Sequence, residues 1–208
     1  MRLIEERSID RVLHFTTNNG LLGVLRSGLL LSRDQLSQEQ RVETIRLFNN
    51  DSRTRDQAWT GYVNLSISTV NTAMLASSRS WHADQGVWWA VLSFDPVIMA
   101  HPGVTFTTTN NVYPVVRRAG GGAGLNALFD PQVPYGYYGS VHRREAGAPL
   151  SQPTDPTAEV LYPGGVPLTF LRGIYVFEEE HLDQVAGWVE LFPTAPHVEI
   201  ACRPDVFA

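Results

Sequence analysis

The chain has 208 residues, 43% of them hydrophobic, and a formal net charge of −5. That length suits one domain with its own core and argues against two full ones. The negative charge argues against a generic polyanion binder, no apolar run reaches the ~20 residues of a membrane helix, and one cysteine, Cys202, excludes an internal disulfide or a cysteine-rich zinc site.

The opening "MRLIEERSIDRVLHF" is charged and has no apolar h-region. A secretory leader is therefore not expected, and a cytoplasmic protein is. "RVLHFT" (Arg11 to Thr16) reads as a short strand. "NNGLLGVLRSGLL" reads as a helix, with Asn18 or Asn19 near its cap and Gly28 just past its end. "RDQLSQEQRVETIRLFNN" carries Leu36, Val42, Ile45 and Phe48 at roughly helical spacing, and the polar "NDSRTRDQAWTG" after it reads as loop.

"YVNLSIS" (Tyr62 to Ser68) alternates as a half-buried strand does. "NTAMLASSRSWH" reads as a helix capped by Asn71. "VWWAVLSFD" is a near-continuous apolar run, the pattern of a central strand covered on both faces. "GVTFTTTNN" reads as a further strand. The Gly- and aromatic-rich stretch 119–139 reads as a long binding loop rather than core, and "SVHRREAGAPLSQPTDPT" as a second loop. "LTFLRGIYVF" reads as a bent strand or strand pair, "EEHLDQVAGWVELF" as a helix and "HVEIACRP" as a closing strand. The whole is α+β: a mixed sheet with peripheral helices in one domain, 1–208.

Every basic residue is arginine, whose flat fork suits phosphates and bases, although GC-rich codon usage gives the same bias. Arg117, Arg118, Arg143 and Arg144 face only Asp130 over residues 107–144, while the C-terminal part is acidic. His14, on the first strand beside Thr16, is either an ordinary half-buried residue or a hydrogen-bonding group for a ligand hydroxyl. Arg53 and Arg55 are either solvated loop residues or a clamp on phosphate and developing charge. Glu159 begins a short apolar segment with no second carboxylate spaced as in a glycosidase. The histidines show no metal spacing, "GGGAG" is neither a P-loop nor a dinucleotide fingerprint, and no Gly-x-Ser-x-Gly elbow is present. From the residues alone the reading stops at an α+β enzyme-like domain with one suspect glutamate.

Four stretches carry it further. "HFTTNNGLLGVLRSGLL", "GYVNLSISTVNTAML", "VWWAVLSFDPVIMAHPGVTFTTTNN" and "DPTAEVLYPGGVPLTFLRGIYV" resemble, in order, successive segments of the DarT family of DNA-modifying ADP-ribosyltransferase toxins. The resemblance implies two packed β-sheets cleft around NAD+, a co-substrate, with no metal. It implies Glu159 as the catalytic glutamate, and Arg53 or Arg55, with Arg53 preferred, as the assisting arginine. NAD+ would lie along His14, Phe15, Thr16, Asn18, Leu22 and Leu30, with Arg53. Single-stranded DNA would meet Arg117, Arg118, Arg143 and Arg144 through its backbone. Tyr137 and Tyr138 would stack its bases, with Phe129 and Tyr135 in the same loop, and Thr157 would lie in the recognition loop before Glu159. An antitoxin hydrolase, a macrodomain or a related enzyme, is the implied partner.

The "STVNTAML" turn departs from the family's thymidine-modifying branch and leaves thymidine or guanosine open as the target. An RNA or protein ADP-ribosyltransferase and an NAD glycohydrolase are the enzymatic alternatives, and a non-catalytic nucleic-acid-binding module is another. Thr157 stands two residues before Glu159, where a protein-directed transferase would carry Glu or Gln.

Overall fold

The computed structural model describes residues 2–50, 55–192 and 196–208. A short helix α1 (Arg2–Glu6) leads into strand β1 (Val12–Thr17), helix α2 (Asn18–Ser27), strand β2 (Leu29–Leu31) and helix α3 (Arg33–Gln38). Strand β3 (Tyr62–Ile67), helix α4 (Thr72–Trp81) and strand β4 (Trp89–Phe94) follow. Then come β5 (Thr105–Thr107), β6 (Arg118–Gly120), helix α5 (Gly121–Ala127) and the hairpin strands β7 (Gln132–Pro134) and β8 (Val141–Arg143). The chain closes with β9 (Glu159–Pro163), β10 (Gly165–Pro167), β11 (Leu171–Val176), helix α6 (Leu182–Leu191) and β12 (Glu199–Cys202).

Eight strands form one sheet in the order β12-β11-β4-β1-β3-β9-β5-β6. Its neighbours are antiparallel except β11 and β12, which run parallel. The two sheets implied by the resemblance are two halves of this one ladder. β1 pairs with β4 along its whole length but meets β3 only at Val12↔Ile67 and Leu13↔Ser66. Beyond Leu13 the halves part.

β4 is buried at all six positions because both faces are covered. Ala90, Leu92 and Phe94 join the larger core, with Val12, Leu25, Val160 and Ile174. Trp89 and Val91 face the other way, against Leu13, Leu75, Tyr175 and Phe207. β3 alternates half-buried and buried along its length, as its sequence predicts.

The helix ends follow from their caps. Thr17, rather than Asn18 or Asn19, caps α2: its hydroxyl accepts from Gly20 N at 3.0 Å. Gly28 ends the helix in the left-handed conformation, φ 76°, which a side chain would strain. Asn71 caps α4 as expected, its Oδ1 accepting from Met74 N at 3.0 Å.

Two expectations are corrected. The helical spacing over 33–50 yields only α3 and a short 3-10 turn (Gln40–Val42), because Glu39 adopts an extended ψ of 103° and no residue of α3 is buried. The stretch 119–139 is no open loop. It holds α5 and β7, and Leu125, Leu128, Phe129 and Val133 are core. The glycines make this packing possible: a Cβ on Gly124 would lie 2.1 Å from the Ala119 carbonyl oxygen. Among the described residues no helix is long and apolar enough to cross a membrane.

Candidate active site

Where β1 and β3 separate, a cavity of about 800 Å³ opens, within the range of small-molecule sites. β1 contributes His14, Phe15 and Thr16, and β3 contributes Tyr62 to Ser66. Leu30, Leu36, Val42, Ile45 and Phe48 supply apolar surface, and Arg55 and Asp56 also line it. The residues that looked like a helical stripe in sequence thus converge on a cavity wall. Asn49 ties that wall to the strand, its Nδ2 donating to the Phe15 carbonyl at 2.6 Å. Thr16 Oγ1 reaches Asn49 Oδ1 at 3.5 Å.

Glu159 begins β9 and faces the same cavity. Its Oε1 accepts from Asn64 Nδ2 at 3.0 Å, and its Oε2 accepts from the Asn111 backbone N–H at 2.8 Å. Each oxygen therefore has a neutral donor that fixes where it stands. The approach to the strand is equally determined. Asp155 Oδ1 accepts from both the N–H and the hydroxyl of Thr157, each at 2.7 Å, in a local side-chain turn. Thr157 Oγ1 in turn accepts from Asn110 N at 3.1 Å, joining this loop to the one that carries Asn111.

His14 Nδ1 lies 2.9 Å from the Asn64 carbonyl oxygen. A carbonyl only accepts, so Nδ1 carries the hydrogen and Nε2 keeps its lone pair in the neutral ring. Burial pushes the imidazole below its ordinary value, outweighing the opposing effect of the Asn64 hydrogen bond. His14 is accordingly a neutral ring, donating through Nδ1 and able to accept through Nε2.

Of the other residues singled out from sequence, Phe15, Thr16, Leu30 and Arg55 line the cavity, whereas Arg53 lies outside the described residues. Asn18 and Leu22 do not reach it: the Asn18 N–H donates to the Trp88 carbonyl at 2.9 Å, and its buried Oδ1 has no partner among the described residues.

The predicted DNA arginines divide. Arg117 pairs with Asp130 at 2.6 Å, and Arg144 donates to the carbonyls of Gln152 and Pro149, each at 2.7 Å. Arg118 is engaged with Asn111, and of the four only Arg143 has an exposed side chain with no hydrogen bond or ion pair among the described residues. Tyr137 and Tyr138 sit at the tip of the β7–β8 hairpin, Tyr138 fully exposed and left-handed at φ 62°. Tyr135 is stacked on His142 at 3.7 Å, and Phe129 is buried under Arg7 and Arg144, out of reach of a base. Glu178, Glu180 and His181 are close enough to share an ion, but none of them lines the cavity.

Sequence reasoning missed Asn64 and Asn111. Asn64 carried a faint signal, since asparagine is disfavoured inside a strand. Asn111 acts through its backbone, which residue type does not report.

A family model described as "ssDNA thymidine ADP-ribosyltransferase, DarT" matches residues 13–208. No curated protein matches the chain. Among solved structures, Thermus sp. 2.9 DarT in complex with NAD+ aligns with a TM-score of 0.63 at 21% identity, covering 96% of this chain and 98% of that one. The same protein in complex with ADP-ribosylated ssDNA aligns at 0.64 and 19% identity, covering 97% of each chain. Thermosipho africanus DarTG in complex with ADP-ribose aligns at 0.63 and 12% identity, covering 95% of this chain and 51% of that one. These likenesses show a shared fold, and with the family model spanning nearly the whole chain they lead to one conclusion: the chain belongs to the DarT family of NAD+-dependent, single-stranded-DNA ADP-ribosyltransferases.

Proposed function

We propose that this protein transfers ADP-ribose from NAD+ to a ring nitrogen of thymine in single-stranded DNA, with Glu159 as catalytic base and His14 as a ribose-binding group. The observation that carries the reading is the carboxylate of Glu159, held at both oxygens on the wall of a cavity that His14 also lines, its Nδ1 committed to the Asn64 carbonyl.

In this reading the bond between the ribose anomeric carbon and nicotinamide breaks, and its electron pair leaves with nicotinamide. Positive charge develops on the ribose, and the Glu159 carboxylate stabilises it. The thymine nitrogen attacks the same carbon as its proton passes to Glu159, a general-base contribution of about 10²–10⁴ in rate. His14 Nε2 accepts from a ribose hydroxyl and so sets the angle of the sugar. Arg55 lines the cavity and is suited to the diphosphate, with Arg53 as its sequence neighbour in that role.

The exposed hairpin tip offers Tyr137 and Tyr138 to bases, and Arg143 to the backbone. Single-stranded DNA spares the cost of unpairing the target. The cytoplasm, where NAD+ and DNA meet, is the proposed location, and an antitoxin hydrolase of the macrodomain or a related kind is the proposed partner.

The test is incubation of the wild type and Glu159→Gln with NAD+ and oligonucleotides with and without thymine, read by mass spectrometry. One ADP-ribose added to thymine-containing strands only, and lost with Glu159→Gln, is the expected result. Modification of thymine-free, guanine-containing strands overturns the choice of base. NAD+ consumption with no DNA adduct overturns the transfer itself.

A further inference from the structure

The sequence assigns Arg118 to a DNA phosphate, but its guanidinium is engaged elsewhere. Nε donates to Asn111 Oδ1 at 2.7 Å, and Nη2 donates to the Asn111 carbonyl at 2.7 Å. The guanidinium also lies over the Trp59 ring, 5.2 Å from its centroid. Asn111 is 1% exposed, and its own N–H is the donor to Glu159 Oε2. Asn111 belongs to neither β5 nor β6, so no strand ladder fixes its backbone. A forked, two-point grip supplies the direction that a ladder would have supplied, and a single ammonium cannot reproduce it.

We infer that Arg118 is a positioning residue for the transfer reaction: by holding both oxygens of Asn111, it aims the N–H that orients the Glu159 carboxylate. The inference rests on Glu159 being the catalytic base. It separates Arg118 from its sequence neighbour Arg117, whose partner is Asp130. It also links the catalytic carboxylate to Trp59, in the short 3-10 turn Gln57–Trp59 just beyond Arg55.

The experiment uses the full chain and its Arg118→Lys, Arg118→Ala, Asn111→Ala and Arg118→Ala/Asn111→Ala variants, with Glu159→Gln beside them. Nicotinamide release is measured at saturating NAD+ and saturating thymine-containing single-stranded DNA, and DNA affinity is measured over a salt series. Positioning predicts that Arg118→Lys and Arg118→Ala each lose about 10- to 100-fold in kcat, the scale of a small displacement of a catalytic group. DNA affinity and its salt dependence stay at the wild-type level. The double variant falls no further than Arg118→Ala, because the two residues act as one unit.

Wild-type kcat in Arg118→Lys, with weaker DNA binding and a salt slope reduced by about one in Arg118→Ala, assigns Arg118 to a phosphate and overturns the inference. If Arg118→Ala does not fold, Arg118→Lys decides, since it keeps the charge. Full activity in Glu159→Gln removes the underlying reading. An inactive Glu159→Gln beside full kcat in both Arg118 variants overturns the positioning role alone.

Discussion

The carboxamide of Asn64 donates to Glu159 Oε1 at 3.0 Å, from one strand to the next. The backbone carbonyl of the same asparagine accepts from His14 Nδ1 at 2.9 Å. One residue therefore fixes both the carboxylate and the tautomer of the imidazole. Its position on β3, at the parting of the two half-sheets, lets it reach both.

Asn64→Ala removes the side-chain hydrogen bond and leaves the backbone one. A hydrogen bond to a charged group contributes about 1.5–3 kcal/mol. The expected outcome is a loss of about 10- to 100-fold in kcat, with KM for NAD+ little changed. Asn64→Asp is worse, because it sets a second carboxylate against Glu159. Steady-state nicotinamide release measures both.

His14 ties stability to pH. Burial lowers its folded-state value beneath the ordinary 6.5. Below about pH 6.5 the unfolded chain therefore binds a proton that the folded chain resists, and stability falls as the pH drops through that window. Urea unfolding of the wild type and His14→Gln at pH 7.5 and 5.5 checks this. The acid-induced drop in midpoint is expected to be smaller in His14→Gln.

Gly124→Ala is expected to destabilise the fold by about 1–3 kcal/mol or more, since the added carbon meets backbone that cannot rotate away. The readout is a lower Tm and denaturation midpoint. Ala123, the preceding residue of α5, is exposed, and Ala123→Ser is expected to leave both close to wild type.

Tyr138→Ala is expected to weaken single-stranded DNA binding by about 1–3 kcal/mol, the contribution of one base stacked on an aromatic ring. The side chain is fully exposed, so Tm should not fall, and relief of the left-handed strain is a reason for it to rise slightly with Tyr138→Gly. Fluorescence anisotropy with a labelled oligonucleotide measures the first effect and thermal melting the second.

The elements legible in sequence are those whose own pattern sets them. β3 showed its alternation, β4 its two-sided burial, and α4 its asparagine cap. α5 was hidden because its stability comes from tertiary packing rather than helix propensity. Leu125, Leu128 and Phe129 stand at helical spacing, but the run of glycines before them reads as loop. The same division runs through the site. His14 and Glu159 were visible as chemical groups on short strands, and the structure places both on one cavity. The pairing of Glu159 with its two donors was not visible, because one acts through a peptide N–H and both depend on long-range register.

The parting of β1 from β3 also bears on dynamics. Past Val12–Leu13 and Ser66–Ile67 the two half-sheets share a core but no backbone ladder. In the proposed reading a dinucleotide lodged between them touches both half-sheets and ties them together. Loading with NAD+ should therefore slow amide hydrogen exchange in residues 62–66 and in 14–17, where β1 and β3 no longer pair with each other. In that reading, substrate capture and the stiffening of the sheet are one event.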